Sequence, residues 1–317
     1  MKIIDMHCDT IRECFLRNEG IRENSLCVDL ERMKKNNATA QFFAIWLSEP
    51  KEAKIKSEKN LYDRFFEIAD FYEDELKKNS DIIEKALSYD DIEKNIRAGK
   101  MSAILTVEDG QLIEGDMSRL AELYRRGVRL VTLTWNNENC IGFPNSDSPE
   151  DHMRGLKDFG IEVVRQMNAM GMIIDVSHLS EGGFYDVAKY SRKPFVASHS
   201  CARSLRDHSR NLTDEQLRCL ADHGGVAGVN FYSLFLKENS DSTFVSDIVS
   251  HISHMVMVAG EDHVSLGADL DGMDSKLEGR GYDCYGAVIR RLEKIFSPSV
   301  TEKICYKNAL RVMKECL

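Results

Sequence analysis

The chain has 317 residues and a formal net charge of −10 at pH 7. Such a surface repels phosphate backbones and anionic lipid headgroups, so neither a nucleic-acid nor a membrane partner is expected. Hydrophobic residues make up 43 % of the chain, enough for a large core, and the nine scattered cysteines form no C-x-x-C, which argues against a disulfide framework or a structural zinc site.

Short β-rich apolar runs alternate with longer helical patterns along the chain. Strands are predicted near Ile3–His7, Ala40–Leu47, Ala103–Glu108, Arg129–Thr134, Ile173–Ser177, Phe195–Ser198, Val226–Asn230 and Val264–Ala268. Several are nearly continuous apolar runs, as parallel strands covered on both faces should be. Helices are predicted over Glu52–Asn79, Ser88–Ala98, Asp116–Arg126, Gly155–Met170, Thr213–His223, Val245–Ala259 and Pro298–Cys316, with shorter ones over Ser180–Tyr190 and Tyr285–Phe296. The connection between the second and third strands is the longest, and its lysines and glutamates read as an exposed helical insertion. Eight strands alternating with helices describe an α/β fold, either a (β/α)8 TIM-like barrel or a doubly wound sheet. No linker or low-complexity stretch breaks the pattern, so residues 1–317 are expected to form one domain. The N-terminus Met1-Lys2-Ile3-Ile4-Asp5-Met6-His7 carries no signal-peptide pattern, no run reaches membrane-spanning length, and no hydrophobic tail follows the last helix. A cytoplasmic protein with reduced thiols is the resulting expectation.

The residues that carry chemistry cluster at strand ends. In His7-Cys8-Asp9, residues i and i+2 of a strand share a side, so an imidazole and a carboxylate can converge while Cys8 faces away. A plain His–Asp hydrogen bond is the alternative. Glu108-Asp109-Gly110 ends the third strand, although an acid there can instead cap the next helix, as Asp109 is free to do. Asp175-Val176-Ser177-His178 and Ser198-His199-Ser200 follow the fifth and sixth strands. Either histidine alone would read as an ordinary turn residue. Gly267-Ala268-Asp269-Leu270-Asp271-Gly272 closes the last strand, and Asp271-Gly272 also reads as a simple turn. Taken together, His7, Asp9, Glu108, His178, His199 and Asp269 share the rim where barrel active sites form. Three imidazoles and several carboxylates around one cavity suit two dications of the zinc class.

In these motifs, together with Ala40-Gln41-Phe42-Phe43-Ala44, Leu133-Thr134-Trp135-Asn136 and Ser209-Arg210-Asn211-Leu212, the chain resembles the renal (membrane) dipeptidase family, peptidase family M19, over nearly its whole length. The resemblance implies a (β/α)8 barrel holding two zinc ions or similar divalent metals, a small dipeptide as substrate and a homodimer. His7, Asp9 and Glu108 would hold one zinc, Glu108 would bridge, and His178 and His199 would complete the second. Asp269 would shuttle the proton from the bridging water to the leaving amine, and Arg210 would clamp the substrate's C-terminal carboxylate. Mammalian members place an oxyanion-stabilising histidine where Trp135 stands here. An indole stacks and donates one N–H but neither ligates a metal nor carries a proton. The function implied is hydrolysis of dipeptides, including those with a C-terminal D-residue. The competing reading keeps the site but makes it a deacylase of N-acyl amino acids, and a non-catalytic binding barrel is a further alternative.

Overall fold

A computed structural model describes residues 1–47 and 60–317. Eight parallel strands form its centre: β1 Ile3–Cys8, β2 Ala38–Trp46, β3 Met101–Glu108, β4 Val128–Thr132, β5 Ile173–Asp175, β6 Val196–Ser200, β7 Val226–Val229 and β8 Val264–Leu266. Their order is 2-1-8-7-6-5-4-3, and β2 pairs with β3 to close the ring. All pairings are parallel, and the connecting helices cover the outside. This is the (β/α)8 barrel, not the doubly wound sheet. The predicted strands fall on the observed ones to within about three residues at either end.

The insertion between β2 and β3 contains helices Leu61–Lys78 and Tyr89–Arg97, joined through a short strand, Ile83–Lys85, that pairs beside the start of β3. Residues 52–59 of the predicted helix lie outside the described residues. The first helix turns Phe65, Ile68, Ala69 and Tyr72 into the core, as its periodicity predicts. Two further helices, Thr10–Arg17 and Leu30–Lys35, are not predicted from the sequence pattern. Their arginines, lysines and glutamates dilute the apolar stripe that marks the longer ones. The helix predicted from Gly155 begins at Asp158, because Leu156 donates its N–H to the Asp186 carboxylate, 2.8 Å away, and docks there instead.

The barrel interior is apolar at one end and polar at the other. Ile4, Met6, Ala40, Phe42, Ile104, Leu130, Ile173, Val196 and Val226 point inward from seven strands and pack on Ala309, Val312, Met313 and Cys316 of the C-terminal helix. That helix therefore plugs the end where the strands begin. Two residues further along β3, β4, β5 and β6 the inward positions become Thr106, Thr132, Asp175 and Ser198, and Glu108 follows two beyond Thr106. Gly228 and Gly267 let β7 and β8 approach the Ser198 carbonyl, where a Cβ on either would collide.

Candidate metal centre

The inward residues at the ends of β1, β3 and β6, with the turns after β5 and β8, meet at one point. His7 Nε2 lies 3.4 Å from Asp9 Oδ2, 3.3 Å from Glu108 Oε2 and 3.8 Å from Asp269 Oδ1. The other oxygen of Glu108 lies 3.0 Å from His178 Nε2 and 3.7 Å from His199 Nε2. Glu108 thus reaches toward both groups with separate oxygens. Among the described residues, three donor sets, each with atoms within 4.8 Å of one another, are His7–Asp9–Glu108, Glu108–His178–His199 and His7–His199–Asp269. Each of the six predicted centre residues falls inside this cluster. The third set has no counterpart in the sequence reading.

Strand parity alone does not deliver His7 and Asp9. The register of β1 slips between Asp5 and Cys8, so Met6 points into the barrel while Cys8 joins the outer core. Asp9 lies beyond the strand, at the N-cap position of helix Thr10–Arg17, yet its carboxylate makes no capping hydrogen bond. It is left for the cavity. Asp9 N–H donates to Leu270 O at 3.0 Å and Asp269 N–H to His7 O at 3.2 Å, which laces the end of β1 to the end of β8. His178, Asp269 and Asp271 adopt left-handed backbone with φ of 66°, 63° and 69°. Such residues cluster at functional sites, where the surrounding structure holds the strain.

Gly272, read from sequence as part of a turn, has a sharper role. A Cβ there would run into Asp9 Oδ2 and Asp269 Oδ1, so only glycine lets the two carboxylates converge beside it. Asp271 turns away, accepting hydrogen bonds from Thr10 Oγ1 at 2.5 Å and from the Cys27 N–H at 2.7 Å. Asp109 also turns away, to the Gln111 N–H and the Asn139 amide.

Sequence reasoning missed the residues that orient this cluster. Asp175 is buried and accepts from Thr132 Oγ1 and Ser198 Oγ, each at 2.6 Å, and from the N–H groups of Ser177 and Ser198. Ser198 Oγ lies 2.7 Å from His199 Nδ1. A carboxylate–hydroxyl–imidazole line thus fixes His199, the arrangement that steadies metal-ligating histidines. Asn136 Oδ1 lies 2.9 Å from His178 Nδ1, leaving Nε2 for the cavity. Asn230 donates its Nδ2 to Asp269 Oδ2 at 3.0 Å, which leaves Oδ1 facing His7. The motif Asp175-Val176-Ser177-His178 contained one signal, since an acid inside an apolar strand needs several donors.

The electrostatics divide the cluster. Burial pushes the Glu108 carboxyl up to about 7 although His7 beside it pulls the other way, and burial likewise raises Asp269 to about 6. Burial opposes charge on His7, but Glu108 and Asp9 outweigh it and hold the imidazolium well above its ordinary value. Burial, with Arg210 and the other imidazoles nearby, holds His178 and His199 well below theirs, so both present neutral nitrogens. Among the described residues His7 Nδ1, His7 Nε2 and Asp9 Oδ1 are buried without a hydrogen-bond partner. Buried polar atoms seldom remain so. Convergent carboxylates, the neutral imidazoles of His178 and His199, and unpartnered donor atoms fit a site for divalent metal.

The cluster floors a cavity of about 280 Å³ walled by Arg12, Trp46, Trp135, Tyr232, Phe235 and Met273 among others. Trp135 and Trp46 pack with ring centroids 4.7 Å apart, and Trp135 lies 6.2 Å from the His178 ring. Trp135, expected from the sequence to bind substrate, lines this cavity. Arg210 is not on the wall. It is buried against Phe235, with its guanidinium carbon 5.2 Å from that ring, and it donates to His199 O at 3.1 Å and to Ser200 Oγ at 3.3 Å. Its Nε has no hydrogen-bond partner among the described residues. His152 sits against Arg203, 3.0 Å away, outside this cavity.

A parallel (β/α)8 barrel with this donor set at the carboxyl ends of its strands defines a metal-dependent hydrolase. Comparison with known proteins narrows the class. The profile of the membrane dipeptidase family, peptidase family M19, matches residues 1–316, and the chain belongs to that family. Dipeptidase tcpJ of Claviceps purpurea (strain 20.1) is 32 % identical over 295 residues, covering 91 % of this chain and 69 % of that protein. The crystal structure of the dipeptidase AC, a metallo peptidase of family M19, superposes with a TM-score of 0.89 at 25 % identity over 100 % of this chain and 98 % of that one. A metallo peptidase from Rhodobacter sphaeroides, liganded with a phosphinate mimic of L-Ala-D-Ala, has the same fold, with a TM-score of 0.89 at 24 % identity, covering 100 % and 99 % of the two chains. No helix among the described residues is long and apolar enough to cross a membrane.

Proposed function

We propose that this chain is a zinc-dependent dipeptidase that cleaves free dipeptides, including those with a C-terminal D-residue. The observation that carries the reading is the placement of Glu108: one carboxylate oxygen toward His7 and Asp9, the other toward His178 and His199, at the floor of a dipeptide-sized cavity. His7, Asp9 and Glu108 would hold one ion, and Glu108, His178 and His199 the other. Such a pair, when bound, activates water near neutral pH and polarises the scissile carbonyl.

The chain's own residues account for the rest. Asp269 Oδ1 faces the cluster while Asn230 holds Oδ2, so Oδ1 accepts the proton of the attacking water and later returns it to the leaving amine. Arg210, which lies behind the wall against Phe235 with its Nε unpartnered among the described residues, would turn toward the cavity to supply a guanidinium for the substrate's terminal carboxylate. Trp46 and Trp135 form an apolar wall that shelters the site from bulk water, and their indoles contact the substrate's side chains. The relative holding an L-Ala-D-Ala mimic supports a C-terminal D-residue as one accepted substrate. We place the working enzyme in the cytoplasm as one domain, where its nine free cysteines stay reduced.

The test is hydrolysis of L-L and L-D dipeptides and their N-acetylated forms by zinc-loaded and chelator-treated protein. Zinc-dependent cleavage of the free dipeptides is expected. Cleavage of the acetylated forms alone would replace this reading with a deacylase.

A further inference from the structure

We propose that His251, which takes no part in the metal centre, is a positioning residue for Arg210 and thereby sets the affinity for the substrate's terminal carboxylate. This rests on the assignment of Arg210 as the carboxylate clamp.

His251 lies on helix Val245–Ala259 and is 2 % exposed. Its Nδ1 receives the Ala202 N–H at 3.1 Å, and its Nε2 lies 3.0 Å from Leu236 O. A backbone N–H can only donate and a carbonyl can only accept. The ring is therefore neutral, with its proton on Nε2, and both nitrogens are committed.

The two bonds reach two different segments. Ala202 belongs to the segment 201–212, which is closed on itself by Arg203 N–H to Leu212 O at 2.8 Å and Leu212 N–H to Cys201 O at 2.9 Å. That segment carries Arg210. Leu236 ends the short helix Ser233–Leu236, which carries Phe235. The Arg210 guanidinium lies against the Phe235 ring, and Asn211 Nδ2 donates to Phe235 O at 2.8 Å. His251 thus ties the segment that supplies the cation to the segment that supplies the surface it rests on. The guanidinium also donates to the carbonyl of His199, a proposed zinc ligand. Any shift of segment 201–212 therefore moves the clamp relative to the reacting centre. Bidentate recognition of a carboxylate is sensitive to displacements of well under an ångström.

A buried histidine that only stabilised the fold would lower the melting temperature and leave the Michaelis constant of the folded enzyme alone. His251→Phe keeps an aromatic ring and deletes both bonds. In zinc-loaded, folded protein it should raise KM for a dipeptide about tenfold with kcat within about twofold, and should leave kcat/KM for the matching dipeptide amide unchanged. His251→Gln offers one acceptor and one donor in similar places and should recover most of the loss. His251→Asn keeps only the acceptor for Ala202 and should fall between the two; this pair reads the same split if the Phe variant does not fold. Arg210→Met is the control. If it raises KM and the His251 variants do not, the positioning role is wrong. If Arg210→Met itself leaves KM unchanged, the clamp assignment fails. A drop in kcat at constant KM in the His251 variants would also overturn the proposal.

Discussion

The two ends of this barrel are built from the same strands and do opposite things. At the end where the strands begin, Ile4, Phe42, Ile104 and Val196 fill the interior and the C-terminal helix seals it. At the other end the strands present Glu108, Asp175, Ser198 and His199, and His7 and Asp9 keep polar atoms without a hydrogen-bond partner among the described residues. The first end follows the rules of a close-packed core. The second breaks them and holds left-handed backbone and buried like charges. Stability is thus concentrated where chemistry is absent, and the rim carries an electrostatic cost that bound metal would offset.

The strongest challenge to this division is Glu108→Ala. It should lower kcat/KM by roughly a thousandfold or more and reduce bound zinc, measured by elemental analysis. A variant with full metal content and activity would show that the rim does not depend on Glu108. On the opposite end, Phe42→Ala should cost about 3–5 kcal/mol in denaturant unfolding while leaving kcat/KM of the folded fraction intact. A loss of activity in folded protein would couple the two ends.

Smaller effects sharpen the comparison. Asp175→Ala, which frees Ser198 and so His199, should weaken zinc binding by about 10–100-fold, read by competition with a chelator. Asn230→Ala should lower kcat by about tenfold through loss of the hold on Asp269, with zinc content unchanged. The smallest effect concerns metal-free protein. The Glu108 carboxyl lies at about 7 in the fold against an ordinary 4.5. The folded state therefore binds the proton more tightly, and as pH rises through that window the carboxylate subtracts stability. Metal-free Glu108→Gln should lose less melting temperature than the metal-free parent between pH 4.5 and pH 7. Equal losses would mean that burial of Glu108 carries no such cost.

Much of this molecule is legible in its amino-acid order. The apolar runs locate all eight barrel strands, because a strand buried on both faces must be apolar nearly throughout. The insertion helix is legible from Phe65, Ile68, Ala69 and Tyr72. Helix Thr10–Arg17 is not, since its buried face includes Thr10 and Arg12, which give no hydrophobic signal. The six centre residues are legible because imidazoles and carboxylates at strand ends are costly unless used.

The sequence by itself determined eight parallel strands alternating with helices, the strand ends that carry chemistry, and the residue types gathered there, whereas the pairing of β2 with β3 decided that the sheet closes into a barrel. Periodicity and side-chain chemistry are local properties that survive in a linear string. Tertiary structure alone decided that a slip in β1 and a helix N-terminus aim His7 and Asp9, that Gly272 makes room for two carboxylates, that Asn230 and Asp175 orient what they touch, and that Arg210 rests between two segments held by His251. Those relations join residues far apart in the chain, and hydrogen bonds act over about 3 Å in space whatever the separation in sequence.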